Sequence, residues 1–213
     1  MEHDANTSTT SSTGRGIARA SAAIVADGLA VVAGFASTAL VGALASEARR
    51  RDAAMEYRAG GIGRGTRRVE RSEVRGDRIC WFDERALSPP ERSLWDALEA
   101  LRLELNRAAL LGLFSLEAHY AIYPPGAFYR RHRDRFRDDD ARAISWALYL
   151  NEAWTGADGG ALRIHLPHGG IRDVLPAGGT LACFLAERFE HEVLPPARER
   201  LSVTGWFRRR SPG

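Results

Sequence analysis

Lysine is absent from this 213-residue chain, so all 30 of its basic side chains are arginines. The absence of lysine excludes catalysis through a Schiff base or a lysine nucleophile. The arginines stand against 27 acidic residues and leave a formal net charge of +3. This charge is too small to favour nucleic acid as a partner. The composition therefore excludes lysine chemistry and gives no support by itself to nucleic-acid binding.

Cysteine and long apolar runs are also scarce. The two cysteines, Cys80 and Cys183, lie far apart and form no CxxC pair. This spacing favours a reducing compartment, and we expect a cytoplasmic protein. Asp27 and Gly34 interrupt the apolar stretch that begins at Ala22, so it does not reach the roughly 18 residues of a membrane span. The sequence therefore predicts neither a disulfide scaffold nor a membrane segment.

The length of the chain is typical of one domain with a small attachment. Residues 1–22 are rich in Ser, Thr and Gly, and we interpret them as a disordered N-terminal tail. We expect residues 23–213 to form a single domain. Within it, residues 37–112 are predicted to supply supporting helices, and residues 113–207 a β-rich core. The sequence does not indicate the oligomeric state.

Two helices are predicted in the supporting region. Ser37 or Thr38 can cap a helix that runs to about Tyr57. The segment 88–91 (SPPE) is a strong start for the second helix, because it combines a capping serine, prolines in the first turn and a glutamate at the capping-box position. Helical spacing places one stripe of leucines on the face that we expect to pack in the core: Leu94, Leu98, Leu101 and Leu105.

Short apolar runs separated by turn signals predict strands through the rest of the chain. They lie at 28–36, 73–83, 116–123, 143–150, 161–165, 180–185, 191–194 and 200–207. Many short strands at this spacing are typical of a β-sandwich or barrel. The Gly- and Arg-rich segment 59–72 is not flanked by a strand and a helix, so we interpret it as a loop and not as a phosphate cradle.

One pair of residues suggests metal chemistry. His132 and Asp134 are separated by one residue, and in an extended backbone both would face the same side. A third ligand must come from elsewhere, and His191 at the start of a late strand is the candidate. Two imidazoles and one carboxylate leave coordination positions open, which suits non-haem Fe(II) oxygen chemistry better than a closed structural zinc site. Taken alone, His132 and Asp134 could equally be a hydrogen-bonded surface pair.

The context of this pair favours the metal interpretation. Residues 123–134 (YPPGAFYRRHRD) resemble the opening motif of the 2-oxoglutarate- and Fe(II)-dependent dioxygenases. The prolyl 4-hydroxylase branch, with the hypoxia-sensing prolyl hydroxylases and their bacterial relatives, is the most similar. Further matching segments follow in the order that the family has: 147–154, 159–164, 191–193 and 200–207. The resemblance covers about residues 73–207.

The resemblance implies a mainly β fold, a double-stranded β-helix or jelly roll packed by helices. It implies hydroxylation of a proline residue in a protein or peptide, with release of succinate and CO2. The cofactor and co-substrates implied are Fe(II), 2-oxoglutarate and O2, with ascorbate as an additional candidate factor. Two alternatives stay open: a dioxygenase acting on a free amino acid, another small metabolite or an alkylated nucleobase, and a non-catalytic jelly-roll binding module.

The resemblance also implies roles for particular residues. His132, Asp134 and His191 match the iron ligands of the family. Arg200 matches the arginine that pairs with the distal carboxylate of 2-oxoglutarate, and a guanidinium fork suits a carboxylate. Tyr149 matches a tyrosine that hydrogen-bonds to the same carboxylate.

Further matches surround this set. Tyr123 corresponds to a tyrosine near the metal-chelating end of the co-substrate. Thr204 and Trp206 correspond to positions that line the pocket, although Trp206 could also serve only in packing. Arg142 corresponds to an arginine near the substrate entrance, and Tyr129 is expected on the same side of the metal motif.

Overall fold

The structure is a computed structural model that describes residues 4–62, 69–71, 73–134 and 141–210. Its helices in these residues are α1 (Asp4–Asp27), α2 (Thr38–Ala53) and α3 (Pro89–Ala109). Its strands are β1 (Leu29–Val32), β2 (Arg58–Ala59), β3 (Gly61–Ile62), β4 (Val69–Glu70), β5 (Arg78–Trp81), β6 (Leu113–Tyr123), β7 (Tyr129–His132), β8 (Arg142–Tyr149), β9 (Leu162–His165), β10 (Ile171–Val174), β11 (Leu181–Leu185), β12 (Glu190–Val193) and β13 (Arg200–Arg209). A short 3-10 turn lies at Gly156–Asp158.

Two antiparallel sheets form the layers of the β core. The larger sheet has the strand order β1-β11-β8-β13-β6-β5-β2, and the smaller one has the order β10-β9-β12-β7. Their facing side chains meet in one buried cluster, with Tyr149 and Phe184 from the larger sheet and Ile164 and Val193 from the smaller one. This arrangement confirms the predicted mainly β, jelly-roll class.

The helices cover the outer face of the larger sheet. The predicted leucine stripe of α3 is fully buried against this sheet and consists of Leu94, Leu98, Leu101 and Leu105. The capping box also forms, because the backbone N–H of Ser88 donates to Glu91 Oε2 at 2.8 Å. Arg51 Nη2 donates to the same carboxylate oxygen at 3.0 Å and so ties α2 to α3. Within the described ranges, no helix combines the length and apolar character needed to cross a bilayer.

The N-terminal segment differs from the expectation of a disordered tail at residues 1–22. From Asp4 onward this segment belongs to α1, which packs against α3. Ala20 and Ile24 are buried in the main core, and Ile17 packs against it. Packing of these apolar side chains in the later part of α1 stabilises a helix that the isolated segment would not form. Residue 22 is therefore no structural boundary, and a single domain over 23–213 stays a prediction.

Other elements were only partly predicted. In the predicted loop 59–72, β3 and β4 pair through Gly61 with Glu70 and Ile62 with Val69, whereas residues 63–68 and 72 lie outside the described residues. Helix α2 ends at Ala53 and not near Tyr57. The sequence also missed β7 and β10, because YRRH and IRDV contain few apolar residues and acquire strand structure from their partners.

The middle of β13 leaves no room for a side chain at Gly205. A Cβ there would overlap the carbonyl oxygen of Glu117 and would lie 2.7 Å from the indole of Trp146. We expect Gly205→Ala to lower the free energy of unfolding by about 3 kcal/mol, since the packed strands cannot move apart easily. Gly42→Ala in α2 is the control: it meets no atom within 4 Å and should be stabilising by about 0.5–1 kcal/mol. Urea unfolding measures both changes, and an unchanged midpoint for Gly205→Ala would contradict the packing.

Candidate active site

A strand pair in the smaller sheet brings the predicted metal ligands together. Strands β7 and β12 pair so that His132 lies opposite His191. Asp134 follows β7, with Oδ1 3.4 Å from His132 Nε2 and Oδ2 3.5 Å from His191 Nε2. One potential ligand atom from each of the three side chains lies within 4.8 Å of the others. These side chains are therefore close enough to hold one metal ion.

Neighbouring groups fix the orientation of the His132 ring. His132 Nδ1 lies 2.7 Å from the carbonyl oxygen of Arg130, which can only accept a hydrogen bond. The proton is therefore on Nδ1, and the lone pair of Nε2 is directed to the cluster. The ring stacks on Tyr129 with centroids 3.7 Å apart, and Arg75 Cζ lies 4.7 Å from the centre of the Tyr129 ring. Arg75 is held in turn by Asp77, with Nη2 and Oδ2 2.8 Å apart.

The electrostatic environment sets the protonation states of the cluster. Burial alone would raise the pKa of Asp134, but His191, His132 and a hydrogen bond from Ser145 outweigh it and hold this pKa well below its usual range. Burial lowers the pKa of His191 to about 4, although Asp134 opposes this shift. At neutral pH the site thus offers an anionic carboxylate and a neutral His191 imidazole, the forms in which these groups bind metals.

A cavity of about 550 Å³, counted with the solvent at its mouth, opens beside the cluster. Most of the predicted site residues line it: His132, Asp134, His191, Arg200, Tyr123, Tyr129, Thr204 and Trp206. The Thr204 hydroxyl donates to the carbonyl oxygen of Trp146 at 2.8 Å. The cavity lies between the sheets, because its wall combines residues of β7 and β12 with residues of β8 and β13.

Arg200 provides a buried positive charge in the cavity wall. It is only 2% exposed, its Nε donates to the Gly160 carbonyl oxygen at 2.9 Å, and its Nη1 lies 3.5 Å from Ser202 Oγ. Its Cζ lies 5.0 Å and 5.1 Å from the ring centres of Tyr123 and Tyr149. Among the described residues, no carboxylate pairs with Arg200. A buried guanidinium without an acidic partner is costly, so this position fits an anionic ligand.

Tyr149 and Arg142 lie outside the cavity lining. Tyr149 is fully buried beside Arg200, and its hydroxyl forms no hydrogen bond of acceptable geometry in the described part of the chain. Burial raises the pKa of Tyr149 to about 12, although Arg200 partly offsets the rise. Arg142 stacks on Trp206, with Cζ 3.5 Å from the ring centre, and pairs with Glu117. Arg142 therefore contacts a residue of the cavity wall, Trp206, but does not itself line the cavity.

Sequence reasoning missed two side chains that support the cluster. Ser145 Oγ donates to Asp134 Oδ2 at 2.6 Å from β8 of the opposite sheet. Its one sequence signal is alternation, because residues 145, 147 and 149 share the inward face of β8. Arg75, which stacks on Tyr129, lies in an Arg-rich segment and carries no motif.

Known proteins that are similar to this chain are 2-oxoglutarate- and Fe(II)-dependent oxygenases. The sequence profile of the 2OG-Fe(II) oxygenase superfamily matches residues 118–208. A curated protein, the hypoxia-inducible factor prolyl hydroxylase of Caenorhabditis elegans, is 38% identical over 95 residues. That match spans 42% of this chain but only 13% of the length of the relative.

Solved structures extend the similarity to most of the chain. A prolyl-4-hydroxylase of Pseudomonas putida is 46% identical with a TM-score of 0.84, and the match covers 91% of this chain and 99% of the other. A prolyl hydroxylase of Trichoplax adhaerens, solved in complex with a hypoxia inducible factor peptide fragment, is 22% identical with a TM-score of 0.82 and covers 95% of this chain and 93% of the other. The second similarity shows the fold alone. The first spans almost the whole relative, and the chain therefore belongs to the 2-oxoglutarate- and Fe(II)-dependent oxygenase superfamily, in its prolyl 4-hydroxylase branch.

Proposed function

We propose that this oxygenase hydroxylates a proline residue in a protein or peptide and releases succinate and CO2. One observation carries the proposal: a cluster of two imidazoles and one carboxylate shares a cavity with Arg200, a buried arginine that pairs with no carboxylate among the described residues. The identity of 46% to a prolyl-4-hydroxylase supports proline as the target.

We assign His132, Asp134 and His191 as the iron ligands. The donor set fits Fe(II), because two imidazole nitrogens and one carboxylate oxygen on one side leave room for other ligands. A bound iron would supply the redox chemistry: O2 is consumed, one of its oxygen atoms ends in the succinate formed by decarboxylation of 2-oxoglutarate, and the other is inserted into a C–H bond of the substrate. The chain itself contributes orientation, since the Arg130 carbonyl fixes the His132 ring and Ser145 fixes the Asp134 carboxylate.

The opposite part of the cavity suits the co-substrate. Arg200 can pair with the distal carboxylate of 2-oxoglutarate in two parallel hydrogen bonds. The buried Tyr149 hydroxyl beside it supplies a further donor to the same carboxylate. The Tyr123 ring, whose centre lies 5.0 Å from Arg200 Cζ, would flank the chelating end of the co-substrate. Thr204 contributes wall surface, because its own hydroxyl proton is already donated to a backbone carbonyl.

The mouth of the cavity suits a peptide segment. Tyr129 and Trp206 contribute aromatic side chains to the cavity lining, and Arg142 lies over Trp206. We assign Arg142 and Tyr129 to substrate contact. Ascorbate would serve as an auxiliary reductant. The two cysteines, Cys80 and Cys183, are unpaired, which supports the proposed cytoplasmic location.

Mass spectrometry tests the reaction. The protein is incubated with Fe(II), 2-oxoglutarate and a proline-containing peptide library or a cell extract. We expect proline residues that carry one added oxygen atom, with one succinate formed per hydroxylation. EDTA and His132→Ala, Asp134→Ala or His191→Ala should each abolish the product, since iron would not be held. Oxygen added only to small metabolites or to nucleobases would instead support the alternative substrate classes.

Arg200→Ala should act on the co-substrate and not on the metal. We expect the Kd for 2-oxoglutarate to rise about 100-fold, because a charge-assisted hydrogen-bonded pair is lost from a buried position. The affinity for Mn(II) should not change. Anaerobic calorimetry on the Mn(II) form measures the Kd for 2-oxoglutarate, and titration of the metal-free protein measures the Kd for Mn(II). Unchanged binding of 2-oxoglutarate would remove Arg200 from the site.

Ser145→Ala should weaken metal binding although it leaves all three proposed ligands in place. The hydroxyl fixes one oxygen of Asp134, and the loss of such a supporting contact typically costs about tenfold in metal affinity. Ser145→Thr keeps the hydroxyl and is the matched control. Competition with a chelating dye measures the Kd for Mn(II), and equal affinity in the alanine and threonine variants would refute the supporting role.

A further inference from the structure

Two connecting segments are fastened to each other beside Arg200. One joins β8 to β9 and contains the 3-10 turn, and the other joins β12 to β13. The backbone N–H of Ala197 donates to the Asp158 carbonyl at 2.8 Å, and that of Gly160 donates to the Pro195 carbonyl at 3.1 Å. Gly159 forms an isolated bridge with Pro196. The first segment is thus held against the residues that lead directly into Arg200.

The side chain of Arg198 links both ends of the β8–β9 segment. Its Nε donates to Asp158 Oδ1 at 2.8 Å, and its Nη2 donates to the carbonyl oxygens of Glu152 and Ala153 at 2.9 Å and 3.1 Å. Its Cζ also lies 4.2 Å from the centre of the Trp154 ring. A planar guanidinium makes these contacts together, and a lysine could not.

The Trp154 ring connects Arg198 to Gly159 and Gly160. Trp154 is buried, and its indole N–H donates to the Gly159 carbonyl at 3.0 Å. Gly160 packs beside the ring at a φ of +66°. A Cβ on Gly160 would lie 2.9 Å from Pro196, 3.2 Å from Arg200 Cδ and 3.3 Å from the Trp154 ring. Only glycine therefore allows this close approach to Arg200.

The close contact between Gly160 and Arg200 affects the guanidinium, because the Gly160 carbonyl oxygen accepts a hydrogen bond from it. This oxygen binds Nε at 2.9 Å, which fixes the rotation of the guanidinium and determines which N–H groups face the cavity. We propose that Arg198 is a positioning residue for 2-oxoglutarate that acts through Trp154 and Gly160 on Arg200. The inference rests on the proposed role of Arg200 as the anchor of the distal carboxylate.

A fixed guanidinium also sets the length of the keto acid that fits. The distance from the metal cluster to the Arg200 donors would be constant, so a homologue with one more methylene, 2-oxoadipate, should bind more weakly than 2-oxoglutarate. Loss of the Arg198 side-chain contacts would let the Arg200 guanidinium shift, so that the site could accept the longer acid. Arg198 thus contributes to both affinity and selectivity for the co-substrate.

The chain provides a matched control in a second arginine–aspartate pair. Arg163 and Asp173 join β9 to β10 with both of their contacts, Nε to Oδ1 and Nη2 to Oδ2, at 2.8 Å. This pair is partly exposed, as the Arg198–Asp158 pair is. Among the described residues, neither of its side chains hydrogen-bonds to the β8–β9 segment or to the β12–β13 segment. Arg163→Ala therefore removes an equivalent ion pair without affecting the keto-acid pocket.

The experiment compares the full-length protein with Arg198→Ala, Arg198→Lys, Arg163→Ala and Arg200→Ala. Anaerobic calorimetry on the Mn(II) form gives the Kd for 2-oxoglutarate and for 2-oxoadipate, titration of the metal-free protein gives the Kd for Mn(II), and thermal unfolding gives the Tm. We expect Arg198→Ala to weaken 2-oxoglutarate about tenfold, through partial loss of a charged hydrogen bond, with an unchanged Kd for Mn(II). Its preference for 2-oxoglutarate over 2-oxoadipate should fall. Arg198→Lys should be intermediate, and Arg163→Ala should behave as wild type.

The variants distinguish the anchor role of Arg200 from the positioning role of Arg198. If Arg200→Ala binds 2-oxoglutarate normally, the proposed anchor itself is wrong. If Arg200→Ala loses binding but Arg198→Ala matches Arg163→Ala, the anchor stands and the positioning role is wrong. Equal losses of Mn(II) and 2-oxoglutarate affinity in Arg198→Ala would also overturn the positioning role, because they would indicate general damage to the fold.

Discussion

The site depends on the register of one strand pair, β7 against β12. This register places His132 directly opposite His191, and the ladder becomes irregular between His191 and Val193. Side chains alternate across a strand, so a slip of one residue would turn one histidine away from the other. The segment before β5 supports β7 from its other side, because the Arg130 N–H donates to the Val74 carbonyl at 2.9 Å.

The two sheets contribute different charges to the cavity between them. The smaller sheet supplies the histidines, and Asp134 follows directly after its edge strand. The larger sheet supplies Ser145, which holds the carboxylate, and Arg200, which provides the positive charge. Because burial keeps His191 neutral and its neighbours keep Asp134 ionised, a dication can bind at one end and an anion at the other.

The sequence predicted the parts of the molecule that local pattern determines. The leucine stripe and capping box of α3 follow from helical spacing, and the inward strands of the core follow from apolar runs between turns. His132, Asp134, His191 and Arg200 were predicted as site residues because their spacing matches a family motif, and all four line one cavity. By contrast, β7 and α1 were missed, since the polar YRRH strand and the Ser-rich helix are stabilised by tertiary partners that composition does not reveal.

The supporting residues could not be found from the sequence for a related reason. Ser145, Arg75 and Arg198 matter through contacts with distant segments, and each is a common residue type in a segment with no distinctive spacing. Their roles depend on which strands become neighbours. Such contacts are readable only after the topology is known, whereas the proposed metal ligands also carry a signal in their order along the chain.

The arginines around the cavity share one mode of packing, and Arg200 departs from it. Each of three guanidiniums lies over an aromatic ring and also pairs with a carboxylate: Arg75 with Tyr129 and Asp77, Arg142 with Trp206 and Glu117, and Arg198 with Trp154 and Asp158. Arg200 likewise lies near aromatic rings, those of Tyr123 and Tyr149, but no acidic side chain of the described residues completes the pattern. Its surroundings orient and bury the cation while leaving its charge uncompensated. An anionic co-substrate would therefore take the place that Asp77, Glu117 and Asp158 occupy beside the other arginines.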